Sequence, residues 1–219
     1  PGSMPGKYRC EVHYEQYGPD ADTATAVVVL THGFMRQLKH MRGWAQHWSS
    51  WGLPTTIVSL CNSTLINGHH QRNAEDLAHL AKRLYPGQPV IFSGFSAGGL
   101  AAWLAANDAP AAMAYLGLDP VDSGKLAERA SNRRPLPGLI LYARASMCNA
   151  RNNFLRSARQ QPGFALLAIT GASHCHFELP FDRRCTWVCG GPSAERSNEE
   201  IQRELLGITT QWLLNTPAR

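Results

Sequence analysis

Short apolar runs alternate with helix-patterned stretches along most of the chain, and this alternation restricts the fold more than any other feature. A run that is apolar at every position must be buried on both faces, which is the situation of a strand inside a parallel sheet. Parallel neighbours need a crossover connection, normally a helix. The first such run, residues 24–30 (ATAVVVL), is followed by 55–60, 89–92, 113–118, 139–142 and 165–169. Between the first two, residues 41–51 place Met41, Trp44, Ala45, Trp48 and Trp51 at three- and four-residue spacing, a helical face that Gly52 stops. Residues 73–84, with Leu77, Leu80, Ala81 and Leu84 on one stripe, predict a second helix. The Ala-rich segment 97–106, then 154–159 ended by Pro162-Gly163, and 197–214 predict three more. The expectation is an α/β protein with a mainly parallel central sheet flanked by helices on both faces. Residues 175–192 fit neither period and are expected to form an extended loop.

No break in composition separates two cores, so residues 1–219 are expected to form one domain. With 44% hydrophobic and 17% charged residues, the chain is not of the disordered class. No apolar run approaches the roughly 20 residues of a membrane span. The net charge of +5 is dispersed, its densest pairs Arg133-Arg134 and Arg183-Arg184 lying far apart. That argues against nucleic acid as a partner and for a mild preference for anionic ones. The six cysteines include no CxxC pair, which argues against a zinc ribbon or a thioredoxin-type site. Three of them fall within 175–189, which favours disulfides and a periplasmic or secreted location. Pro1-Gly2-Ser3 reads as a cloning scar, and a native start at Met4 would favour the cytoplasm instead.

Chemistry enters at Gly94-Phe95-Ser96-Ala97-Gly98. GxSxG alone is weak, because about one chain in ten of this composition carries it by chance. Its position is what matters: it follows the strand run at 89–92 directly and opens the Ala-rich helix. A sharp strand–turn–helix exposes the serine Oγ and sets it beside the unpaired N–H groups of a helix start. Ser96 is therefore the candidate nucleophile. Ala97 is one candidate oxyanion donor through its backbone N–H, and Phe34, in the Thr31-His32-Gly33-Phe34 turn after the first strand, is the other. The Phe34 ring is also placed to line an acyl pocket, while the His32 side chain is expected to hydrogen-bond neighbouring backbone. The base belongs after the last strand, in Gly171-Ala172-Ser173-His174-Cys175-His176. His174 is favoured, with His176 lining or capping the site. No Asp or Glu occurs between Leu139 and Pro162, so the acid must lie elsewhere. Asp119, at the carboxyl end of the preceding strand, is the candidate, and Asp122 the alternative, otherwise a turn or cap residue. His69-His70 are expected to be solvated. The spacing of His174, Cys175, His176, Cys185 and Cys189 fits no usual zinc site, so neither metal nor cofactor is expected.

From about Val27 to Trp212 the chain resembles the α/β-hydrolase superfamily, through its GFSAGG elbow, LDPVD acid segment and GASHC histidine loop. Chlorophyllases carry a similar DPVD segment, but usually Arg where this chain has Ala97. Platelet-activating-factor acetylhydrolases are similar in placing the acid on the earlier strand. Cutinase-like polyester hydrolases are similar in size and open site, with their acid-bearing loop replaced here by SMCNARNN. The resemblance implies an α/β-hydrolase fold. It also implies hydrolysis of a small-molecule or lipid-like carboxylic ester through Ser96, His174 and Asp119 and an acyl-enzyme, with no cofactor. The short interval between Asp119 and the fifth strand leaves no room for a large lid. Acyl transfer or thioester hydrolysis by the same residues is the alternative. Polyester hydrolases resembling this chain tie the two loops beside the site together, which implies a Cys148–Cys175 bridge with Cys185–Cys189 as a second pair.

Overall fold

A computed structural model describes residues 1–130, 135–189 and 196–216. In chain order it contains β1 (Gly2–Pro5), β2 (Glu11–Tyr17), β3 (Val27–Thr31), α1 (Arg42–Ser50), β4 (Thr55–Val58), α2 (His70–Leu84), β5 (Val90–Phe95) and α3 (Ala97–Asp108). Then come β6 (Ala112–Leu118), α4 (Leu126–Ala130), β7 (Gly138–Tyr142), α5 (Leu155–Ala158), β8 (Phe164–Ala168), α6 (Arg183–Cys189) and α7 (Asn198–Asn215). The strands form one sheet in the order β1-β2-β4-β3-β5-β6-β7-β8. From β4 to β8 along the sheet all pairings are parallel, and β1 and β2 add an antiparallel edge.

The apolar runs follow from burial on both faces. Val27 and Val29 pack into a core that includes Leu77 and Leu80 of α2 and Leu100 and Trp103 of α3. Val28 and Leu30 face the opposite core, with Trp44 and Trp48 of α1 and Ile201, Leu205 and Leu213 of α7. Two tryptophans carry hydrogen bonds inside that second core: Trp48 Nε1 donates to Thr209 Oγ1 at 3.1 Å and Trp44 Nε1 to the Phe177 carbonyl at 3.0 Å. They fasten α1 to α7 and to the segment after β8. α3 is buried along almost its whole length, which its alanines permit by keeping the helix thin.

All six parallel strands coincide with the expected runs, with ends shifted by up to three residues. β1, β2 and α4 were not anticipated. β2 (EVHYEQY) buries only Val12 fully, so its sequence lacks an apolar run to betray it. The expected loop at 175–192 is corrected in part: residues 183–189 form α6. No helix among the described residues is long and apolar enough to cross a membrane. Arg183-Arg184 lies on α6, and Arg133-Arg134 lies outside the described residues.

The expected disulfides are also corrected. The bridges are Cys148–Cys189, Cys175–Cys185 and Cys10–Cys61. Cys185 and Cys189 stand one turn apart on α6. At that spacing helix Cβ atoms are about 5–6 Å apart, beyond the roughly 3.8 Å a disulfide requires. Each instead reaches a different loop, Cys185 the residue after His174 and Cys189 the loop after β7.

Candidate active site

Ser96 is the single residue between β5 and α3, with φ 54° and ψ −123°. This left-handed conformation costs a non-glycine residue about 1–3 kcal/mol and is tolerated where surrounding structure enforces it. The flanking glycines make the turn possible by close approach. A Cβ on Gly94 would lie 2.4 Å from the Gly98 carbonyl oxygen, and one on Gly98 only 2.2 Å from that of His32. The turn after β3 is thus packed directly on the first turn of α3, and a Cβ on Gly33 would come within 3.2 Å of Ser96 Cβ. Phe34, next in that turn, lines the same cleft as Ser96, and Ala97 opens α3.

Asp119 directly follows β6 with φ 45°, its N–H donating to the Leu141 carbonyl at 2.8 Å. His174 opens a 3₁₀ turn, residues His174–Phe177, after β8. The topology brings the three together at the carboxyl edge of the sheet. His174 Nε2 lies 3.0 Å from Ser96 Oγ, and Nδ1 lies 2.6 Å from Asp119 Oδ2. The Phe95 ring sits beside the imidazole, with centroids 4.6 Å apart. Ser96, Asp119 and His174 are all buried, at 9%, 1% and 6% exposure, so their mutual bonds face little competition from water.

The carboxylate is surrounded by donors. Its Oδ1 accepts the Ala143 N–H at 3.0 Å, and Asn149 Nδ2 donates to Oδ2 at 3.2 Å. Asn149 is itself fully buried, donating to the Arg144 carbonyl at 2.9 Å and accepting the Ser146 N–H at 2.8 Å. The SMCNARNN loop, lacking an acid of its own, thus supplies a donor that holds the acid of the neighbouring strand. Asp122 points elsewhere, its Oδ1 accepting the Ala127 N–H at 3.0 Å.

The other histidines sort clearly. His176 neither lines nor caps the cleft. Its Nδ1 accepts the Ser173 N–H at 3.0 Å, its Nε2 lies 3.0 Å from Asn198 Oδ1, and burial pushes its pKa down. His70, expected to be solvated, is instead partly buried, its Nδ1 enclosed without a hydrogen-bond partner, and burial lowers its pKa. His32 has the backbone role expected of it: Nδ1–H donates to the Gly33 carbonyl at 2.8 Å and Nε2 accepts the Leu60 N–H at 3.3 Å. Burial lowers its pKa from 6.5 to about 4. The unfolded chain therefore binds a proton that the folded chain refuses between those values, and stability falls as pH drops from about 6.5 to 4. The expected loss from this one ring is about 3 kcal/mol. In urea unfolding at pH 7 and pH 4, His32→Gln should remove that portion of the pH dependence. An unchanged dependence would assign the acid sensitivity to other groups.

Sequence reasoning missed a second feature, an ion-pair network joining the two loops that flank Ser96. Arg36 donates from Nε to Glu178 Oε1, from Nη2 to Glu178 Oε2 at 2.5 Å, and from Nη2 to Asp182 Oδ2 at 2.5 Å. Glu178 is fully buried. Burial alone would lower the Arg36 pKa, but the two carboxylates outweigh it and leave it raised. The same guanidinium holds the Asp182 pKa down. No sequence signal marked this pair, which is separated by 142 positions.

Above these residues lies a cleft of about 470 Å³. Gly33, Phe34, Ser96 and His174 line it, together with Val188 and the bridged Cys148 and Cys189. A hydroxyl facing an imidazole, itself backed by a carboxylate, is suited to nucleophilic attack with proton transfer.

No protein-family model and no curated protein matches the sequence. Among solved structures, the chain is similar to a dienelactone hydrolase from Anabaena variabilis, with TM-score 0.74, 18% identity, and 98% of this chain and 96% of that chain covered. It is similar to a soluble variant of monoglyceride lipase from Saccharomyces cerevisiae, with TM-score 0.70, 13% identity and coverage of 100% and 95%. A thermophilic esterase from Thermogutta terrifontis gives TM-score 0.63, 16% identity and coverage of 98% of both chains. The fold is that of the α/β-hydrolases.

Proposed function

We propose that this α/β-hydrolase-fold protein hydrolyses carboxylic esters through Ser96, His174 and Asp119. The observation that carries the proposal is the continuous relay from Ser96 Oγ through both ring nitrogens of His174 to Asp119, at 3.0 and 2.6 Å, with Ser96 and His174 lining a cleft. Ser96 Oγ attacks the ester carbonyl carbon as His174 Nε2 takes its proton. The backbone N–H groups of Phe34 and Ala97 stabilise the oxyanion, and the start of α3 adds its dipole. His174 returns the proton to the departing alcohol, leaving Ser96 acylated. Water, deprotonated by the same ring, then releases the acid. Asp119 accepts from Nδ1–H throughout and favours the imidazolium form. A cleft of about 470 Å³ suits a small ester or the end of a longer one.

A p-nitrophenyl ester series of rising acyl length tests the proposal, together with labelling by a fluorophosphonate. Turnover of the short esters and phosphonylation at Ser96, read by mass spectrometry of the peptide, are expected. A folded protein that neither turns over any ester nor labels would overturn it. Diversion of most of the acyl group to an added alcohol would replace hydrolysis by transfer.

A further inference from the structure

The most exposed large hydrophobic side chains gather on one edge of the molecule. Six of those among the described residues have between 67% (Met35) and 95% (Ile66) of their surface in water; the others are Leu65, Met147, Trp187 and Val188. The remaining exposed large hydrophobics, Tyr8, Trp51, Leu167 and Leu214, do not exceed 58% and lie outside these connections. All six lie in connections that leave the carboxyl ends of parallel strands: Met35 after β3, Leu65 and Ile66 after β4, Met147 after β7, Trp187 and Val188 in α6 after β8. That is the edge at which Ser96, Asp119 and His174 meet.

Covalent ties hold part of this rim to the site. The Cys148–Cys189 bridge, its two Cα atoms 5.5 Å apart, ties the loop that carries Met147 to the helix that carries Val188. The Cys175–Cys185 bridge ties α6 to the residue after His174. Met35 follows Phe34, which lines the cleft. Apolar patches of this kind on a water-facing surface mark interaction sites rather than ordinary surface.

The same connections are electropositive. Lys39, Lys125, Arg151, Arg183 and Arg184 are exposed on or beside them. Of the acids on those connections among the described residues, Asp119 and Glu178 are buried and Asp122, Glu128 and Asp182 are only partly accessible, while Glu199 and Glu200 are exposed just beyond, at the start of α7. Exposed apolar residues and exposed cations on the same connections fit a surface with an apolar interior and anionic head groups.

We propose that the cleft edge docks on the surface of an anionic lipid aggregate, so that the ester is drawn from the aggregate into the cleft. Ile66 and Trp187 enter the boundary between head groups and acyl chains, and the exposed cations meet lipid phosphates. The orientation of this face rests on the ester-hydrolase proposal above, whereas adsorption itself needs no catalysis.

Sedimentation with vesicles of equimolar phosphatidylglycerol and phosphatidylcholine, beside vesicles of phosphatidylcholine alone, tests it. The Ser96→Ala protein is used so that turnover plays no part. Adsorption to the anionic vesicles is expected to be about tenfold stronger than to the neutral ones and to weaken with salt. Adding Ile66→Ser and Trp187→Ser should weaken it by about tenfold more. With Ser96 intact, that double variant should keep its rate on dissolved p-nitrophenyl acetate to within about twofold, since neither residue lines the cleft. Absence of adsorption, equal adsorption to both vesicles, or adsorption unmoved by the double variant would overturn the proposal. So would stronger adsorption to an uncharged polyester film. Failure of the wild type on p-nitrophenyl acetate would sink the catalytic reading instead and leave the adsorption result standing.

Discussion

Ser96→Ala is expected to lower kcat/KM for a short-chain p-nitrophenyl ester by about 10⁵- to 10⁶-fold, equivalent to about 7–8 kcal/mol of lost transition-state stabilisation. The size follows from what remains. Without Oγ no acyl-enzyme forms, and only the cleft and the oxyanion donors still act, which leaves a residual acceleration of about 10³–10⁴ over water. His174→Ala should cost a similar factor, and the double variant little more than either alone, because the two groups act as a unit. The fold should be untouched. Ser96 Oγ has His174 Nε2 as its side-chain partner, and alanine at φ 54° carries the same Cβ strain as serine. A melting temperature within a few degrees of wild type, beside the loss of activity, is the expected pair of results. Residual activity within tenfold of wild type would remove Ser96 from the chemistry.

Asp119→Asn should lower kcat by about 10⁴-fold, through the hydrogen-bond pattern more than through charge. The carboxylate accepts from the Ala143 N–H, from Asn149 Nδ2 and from His174 Nδ1. A carboxylate accepts at every lone pair, whereas a carboxamide must present an NH₂ to one of these donors. If it turns the NH₂ toward His174, the imidazole is driven to the tautomer with its proton on Nε2, which no longer accepts from Ser96. If it turns the other way, it opposes the Ala143 N–H. Asp122→Asn offers the contrast. Asp122 accepts from Ala127 and touches neither His174 nor Ser96, so its variant should stay within about threefold of wild type. Comparing the two on one substrate checks the assignment, and equal losses, or a larger loss at 122, would overturn it.

Much of this site was legible before any coordinates. Ser96 stood out because GxSxG fell between a strand run and a helix, where steric demands leave few other arrangements. His174 and Asp119 were picked out as candidates by topology, since parallel strands deliver their carboxyl ends to one edge, and the acid-free stretch 139–162 pointed to the earlier strand for a candidate acid. Asn149 was not legible as a partner of Asp119, because an amide in a polar loop has no spacing rule that points at a carboxylate thirty residues away. The Arg36–Glu178 pair was hidden for the same reason, and so was α6, whose seven residues are too few for periodicity to rise above noise. The cysteine pairing, inferred from resemblance, failed on geometry: once 183–189 is helical, Cys185 and Cys189 cannot meet.

The order of apolar runs, the elbow and the acid-free stretch determine by themselves a parallel sheet and the chain positions of the three candidate catalytic groups, because backbone sterics and double-sided burial act locally. Only the tertiary structure decided what surrounds those groups: the donors on Asp119, the bridges to α6 and the apolar, cationic rim. Those depend on where loops from distant parts of the chain come to rest, and contacts between such loops leave no periodic trace in sequence.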